Sequence, residues 1–158
     1  MSEQDVRKHL LECAKQEFLA HGFQGASLRR ICAGAGVTTG AVYFFFQNKE
    51  DMFAQIVANT AAELTNLGQA LSMAELEEPD SGPDCDLRLM EFLYRHRDEA
   101  LLLLERSQGT RYAGFAEELY AQMRWAFTLF FQRYGAGEPD PELIRILVEM
   151  RMKGNLEL

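Results

Sequence analysis

At 158 residues the chain is long enough for one medium domain, or for a small head sharing a core with a second helical unit. With 47% hydrophobic and 25% charged residues it has a globular composition, and no apolar run approaches the roughly 20 residues that span a bilayer. The net charge of −8 runs against a uniformly basic nucleic-acid-binding surface, but it is unevenly spread. Residues 1–53 balance six bases (Arg7, Lys8, Lys15, Arg29, Arg30, Lys49) against six acids (Glu3, Asp5, Glu12, Glu17, Glu50, Asp51), so the excess acid lies in the remainder. Cys13, Cys32 and Cys85 are an odd number with no CxxC spacing, which argues against both a disulfide framework and a zinc knuckle. The opening MSEQDVRKHLLECAK is too charged for a signal peptide, and the expected compartment is the cytoplasm.

Apolar residues recur at helical spacing almost throughout, which predicts an all-α fold. The first helix carries Val6, Leu10, Cys13, Ala14 and Phe18 on one face and is expected to stop at Gly22 in a Schellman ending, with Phe23 folded onto Phe18. Ser27 is placed as the cap of a short second helix with Leu28, Ile31 and Ala35 inward. After Gly36, Thr38 caps a third, with Val37 and Val42 at the positions of a hydrophobic staple. Asn48 caps a fourth helix of about 25 residues, with a stripe of Phe53, Ile56, Val57, Thr60, Leu64, Leu67 and Leu71.

The pattern lapses from Ala74 to Asp86, around Pro79, Gly82 and Pro83, and reads as a surface connection. Its acids resemble a calcium loop only faintly, because Cys85 occupies the position that needs glycine. Helices are expected over about Leu87–Tyr94 and Asp98–Glu105, then a break at Gln108-Gly109-Thr110. An aromatic helix from about Tyr112 to Tyr134 and a last one opened by Asp140 and Pro141 complete the chain. The expected division is residues 1–50 as a small head and 51–158 as an antiparallel helical domain.

Ser27 to Phe46 supplies the parts of a helix-turn-helix: two short helices, a turn glycine at Gly36, and a second helix able to approach DNA. Gly40 lets backbones come close. Thr38 and Thr39 offer hydroxyls where exposed amides favour an anion, Tyr43 can place its phenol on a phosphate, and Lys49 can neutralise one. Of Phe44, Phe45 and Phe46, Phe46 is the one expected in the core. Arg30 reads equally as a solvated charge or a phosphate contact. His9 and Cys13, four apart, lack a third ligand, so no metal is expected, and no cofactor.

The run FLAHGFQGASLRRICAGAGVTTGAVYFFFQNKEDMF resembles the DNA-binding head of the TetR family of bacterial regulators. The resemblance rests on Phe18, Gly22-Phe23, Ser27-Leu28, Ile31-Cys32, Ala35-Gly36-Val37, Gly40-Ala41-Val42-Tyr43, Phe46 and Lys49. It implies phosphate contacts from Ser27, Thr38, Tyr43 and Lys49, base-edge contacts from Arg29, Thr39 and Gly40, and Phe44 beside the groove. Arg29 suits bidentate guanine reading. Cys32 stands where the family has alanine, and Phe45 where a histidine is common.

The resemblance also implies a homodimer on a palindromic operator and an effector pocket in the later helices. Met90, Tyr94, Tyr120, Met123 and Phe127 are the candidate lining residues, suited to a largely apolar small molecule, although such stripes also serve as plain core. The expected function is a transcriptional repressor released by that ligand, with the fourth helix transmitting the change; no membrane partner is expected. The family usually has a further helix beyond the eighth, so the apolar face of Leu143, Leu147 and Met150 is expected to want a partner. The rival reading is a helical ligand-binding or scaffold protein that has kept the head. An enzyme ranks last, because no Ser-His-Asp set, HExxH or phosphate loop is present.

Overall fold

The computed structural model describes residues 2–135 and 137–156, with side chains described as far as Met152. Among these there is no strand. The helices are α1 (Glu3–Gly25), α2 (Leu28–Ala35), α3 (Thr39–Phe45), α4 (Lys49–Glu77), α5 (Gly82–Arg95), α6 (Arg97–Glu105), α7 (Phe115–Tyr134) and α8 (Pro141–Leu156), with a 3-10 turn at Pro79–Ser81. None of them is long and apolar enough to cross a membrane. The chain forms two compact units: residues up to Ala61 together with Asp98–Ala113, and Ala62–Arg97 together with the chain from Gly114. The first unit runs past residue 50 because the opening turns of α4 bury Met52, Phe53 and Val57 completely.

In the first unit, α1 opens with a reciprocal cap: Asp5 N–H donates to Ser2 Oγ at 3.2 Å, and Ser2 N–H donates to Asp5 Oδ2 at 2.9 Å. Leu10, Ala14 and Phe18 point inward. The expected Schellman ending at Gly22 is not what forms. Gly22 has φ 67° but ψ 169°, a backbone region essentially confined to glycine and outside the left-handed helical well. Phe23 N–H donates instead to Arg106 O just after α6, at 3.0 Å, so the chain bends and gains one more turn before α2. The Phe18–Phe23 contact does form, with ring centroids 5.8 Å apart, and Phe53 meets both rings edge-on at 5.2 and 5.6 Å.

The Schellman geometry appears one helix later. At the end of α2, Val37 N–H donates to Cys32 O and Gly36 N–H to Ala33 O, with Gly36 at φ 67°, ψ 28°. Val42 of α3 and Phe46 after it are buried. Asn48 caps α4 as expected, its Oδ1 accepting from Asp51 N–H at 2.8 Å. Around Gly109, the Ser107 and Thr110 hydroxyls donate to Leu103 O and Ser107 O, so this break is a bonded turn; α7 starts at Phe115, and Tyr112 belongs to the turn.

The second unit packs Leu64, Leu71 and Leu76 of α4, Leu89 and Leu93 of α5, Leu119 and Met123 of α7, and Ile144, Val148 and Met152 of α8 as buried residues. The expected loop from Ala74 to Asp86 is mostly helix. Buried Leu76 holds the end of α4, and α5 starts at Gly82 with Pro83 and Asp84 in its first turn. Proline and an acid are favourable there, because the first amides lack partners and carry the positive end of the helix dipole. Asp140 does cap α8, accepting from Glu142 N–H at 2.9 Å.

Because Phe53 closes the three-ring cluster, Phe53→Ala should lower stability by about 3 to 5 kcal/mol, read as a fall in the urea midpoint by far-ultraviolet circular dichroism. A loss below about 1 kcal/mol would show that the rings are not the core of the first unit.

Candidate nucleic-acid interface

The bend from Phe23 to Ser27 is held by two opposite charges. Glu17 of α1, its side chain only 10% exposed, accepts from Ser27 N–H at 2.9 Å and from Arg30 Nε at 2.7 Å on one oxygen, Oε1. Its other oxygen lies 3.8 Å from His21 Nε2. Burial works to raise the Glu17 carboxyl, but the bonds from Arg30 and Ser27 outweigh it and hold the group below its ordinary value. From α4, the Lys49 ammonium donates to Phe23 O at 2.7 Å and Ala26 O at 3.0 Å, and lies 4.5 Å from the centre of the Phe23 ring. Burial pushes its pKa down, with the negative charge of Glu17 opposing that shift.

The side chains expected to meet DNA are outward in the first unit. Arg29 is exposed and makes no hydrogen bond or ion pair among the described residues, whereas Arg30 is tied to Glu17 and to Gly25 O at 2.8 Å. Thr38, Thr39 and Gly40 are exposed, and Tyr43 and Phe44 are 59% and 70% exposed. The Ser27 and Thr38 hydroxyls, expected to cap α2 and α3, make no capping bond. Phe45 is half-buried and stacks edge-on against Phe44, 4.9 Å between centroids, while Phe46 is core. Lys49 is the residue whose position the sequence does not anticipate: two of its three N–H donors are spent inside the head.

Gly40 has ordinary helical φ, and a Cβ built there would meet only Thr38 Oγ1, at 3.8 Å. Nothing among the described residues requires glycine at that position. A close external surface would.

In the second unit a cavity of about 550 Å³ is lined by Met90, Phe127, Phe130, Leu147, Met150 and the charged Glu75, Asp86 and Arg151, among others. Arg151 donates to Glu75 at 2.6 and 3.2 Å, places Nε 2.7 Å from Asp86 Oδ1, and lies over the Phe127 ring at 5.6 Å. The Nε–Asp86 approach is an ion pair without hydrogen-bond alignment, since that buried nitrogen has no hydrogen-bond partner. Met90 and Phe127 are therefore in the cavity wall. Met123 lines a smaller cleft beside it with Leu64, Leu71 and Leu89. Tyr94 and Tyr120 line neither, and Tyr94 is 79% exposed.

The sequence reading missed Glu17 and Arg151, and the signal for each was their register. Glu17 is seven residues after Leu10, and Arg151 seven after Ile144, so each charge falls on an apolar stripe and must be paired to be tolerated there.

A bent first helix, a glycine turn and a short exposed third helix give the first unit the form of a helix-turn-helix. Residues 10–56 match the family model described as bacterial regulatory proteins, tetR family. The chain is 32% identical over 103 residues to the HTH-type transcriptional regulator AcrR of Shigella flexneri, a match covering 65% of this chain and 45% of that protein. It is 30% identical over 79 residues to the HTH-type transcriptional repressor AcnR of Corynebacterium glutamicum, covering 47% and 42%. The matched part thus spans less than half the length of these two relatives. In fold the chain is similar to NalD, described as the secondary repressor of the MexAB-OprM multidrug efflux pump in Pseudomonas aeruginosa. The TM-score is 0.61 at 24% identity, covering 98% of this chain and 83% of that one. The match to the tetR family model thus falls on the stretch that carries the helix-turn-helix.

Gly40→Ala should raise the thermal midpoint slightly, by the equivalent of about 0.4 to 1 kcal/mol, while weakening binding to cognate duplex DNA at least tenfold. Unchanged DNA affinity in a stabilised variant would remove Gly40 from the interface.

Proposed function

We propose that the protein is a transcriptional repressor that binds a palindromic operator as a homodimer and is released by a small, largely apolar ligand. The observation that carries this reading is the outward exposure of Arg29, Thr38, Thr39, Gly40, Tyr43 and Phe44 in a head that matches the family model. Arg29 has its planar fork available for the O6 and N7 acceptors of a guanine. Ser27, Thr38 and Tyr43 supply hydroxyls for phosphate oxygens, and Lys49 has one N–H left for the same purpose. Phe44 lies beside the groove. Two heads reading successive major grooves would contact half-sites about 34 to 36 Å apart.

The cavity in the second unit falls within the roughly 300 to 1,000 Å³ usual for small-molecule sites, and Met90, Phe127 and Phe130 give it adaptable, apolar walls. A ligand there shifts the DNA-binding population only if it binds the two states unequally. Helix α4 contributes Phe53 to the core of the first unit and Glu75 to the cavity wall, so it is the element through which the two events are coupled. Trp125, Leu143, Ile146 and Met150 are 56%, 46%, 40% and 66% exposed on α7 and α8, apolar surface suited to pairing with a second copy. The cytoplasm, where DNA is met, is the compartment this function requires.

Selection from a pool of random duplexes tests the reading directly: a two-fold symmetric motif supports it, and recovery of no motif at modest salt overturns it in favour of a scaffold role. On the selected duplex, Arg29→Ala should cost about 1 to 3 kcal/mol and relax the preference at one base-pair position per half-site. A uniform loss across all positions would assign Arg29 to the backbone instead.

A further inference from the structure

We infer that Glu17 is a specificity-determining residue of the DNA-binding head: it holds the α2 N-terminus in place while cancelling the charge of Arg30, so that the head reads sequence without a general attraction to phosphate. The inference rests on the DNA-binding reading and extends it to a residue that need not touch DNA. Its basis is geometric. Arg30 sits one position after the exposed, unpaired Arg29, and its side chain is itself 52% exposed, close enough to solvent to serve any nearby phosphate. It is nevertheless committed: Nε donates to Glu17 Oε1 at 2.7 Å, the terminal nitrogen approaches the same oxygen at 2.5 Å, and that nitrogen also donates to Gly25 O at 2.8 Å.

The carboxylate on the other side of this pair is nine-tenths buried and shares its oxygen with the Ser27 amide, so it cannot swing away to release Arg30 without also releasing the start of α2. Charge cancellation and positioning are therefore one arrangement. A phosphate counts net cations, because each neutralised phosphate releases a counterion, and a paired Arg30 contributes little to that count. Lys15 is similarly occupied, by Glu12, Asp98 and Glu99 at 3.5 to 3.8 Å, which leaves Arg29 as the unpaired cation at the start of α2.

Glu17→Gln separates the two roles, since the amide oxygen still accepts from Ser27 but no longer cancels Arg30. Affinity for a mixed-sequence duplex should rise, and the slope of log K against log salt should steepen by about 0.9 per head, equivalent to a further loss of roughly fourfold between about 50 and 200 mM salt. The ratio of selected-duplex to mixed-duplex affinity should fall. Adding Arg30→Ala to Glu17→Gln should restore the original slope, and Arg30→Ala alone should leave it unchanged.

A purely structural role for Glu17 would lower both affinities together without steepening the slope, and would overturn the inference. So would a flatter slope in Arg30→Ala alone, which requires no change at Glu17 and is readable even if Glu17→Gln folds poorly. If the unaltered protein prefers no duplex at any salt, the DNA-binding reading itself falls, and this inference with it.

Discussion

The bend between α1 and α2 is the constraint on which the proposed DNA-facing surface depends. Two helices can present a fixed reading surface only if the link between them is rigid, and this link follows directly on Gly22, whose backbone conformation is open only to glycine. Rigidity comes from outside the link. Glu17 takes the Ser27 amide, Lys49 takes the Phe23 and Ala26 carbonyls, Arg106 takes the Phe23 amide, and the Phe18, Phe23 and Phe53 rings fill the space beneath. Groups from α1, α4 and the chain just after α6 thus fix a segment of five residues. An unpaired buried carbonyl or amide costs about 1 to 3 kcal/mol, so the grip favours one geometry over its neighbours by a useful margin.

Much of this architecture was legible from residue spacing. The helical period identified every helix, and Gly36, Asn48 and Asp140 were read correctly because capping and turn chemistry are local: a short polar side chain or a glycine satisfies backbone groups within a few positions. Gly22 misled for the same reason. Its local signal was a Schellman ending, but a carbonyl more than eighty positions away in sequence supplied the partner for Phe23, and no local pattern announces that. Pro83 misled because proline stops a helix and also starts one, and only burial of Leu76 and Cys85 on either side decides which.

The site shows the same division. Exposure of Arg29, Thr38, Thr39, Gly40, Tyr43 and Phe44 was readable, since outward positions follow once the inward stripe is known. The partners of Lys49, Arg30 and Arg151 were not, because ion pairs between helices depend on tertiary placement. In the second unit the aromatic and methionine spacing marked Met90 and Phe127 but also marked exposed Tyr94, as periodicity gives a face and not its neighbour.

On the proposed function, a head with as many acids as bases derives affinity from hydroxyls, amides and a few placed cations, and from pairing two heads on one duplex. That economy is the central claim, and the salt dependence of operator binding tests it most directly. With Arg29 and the remaining donor of Lys49 as the cations of each head, a dimer on its selected duplex should show a slope of log K against log salt of about −4. A slope near −10 would mean that bulk charge drives the complex and would contradict the account.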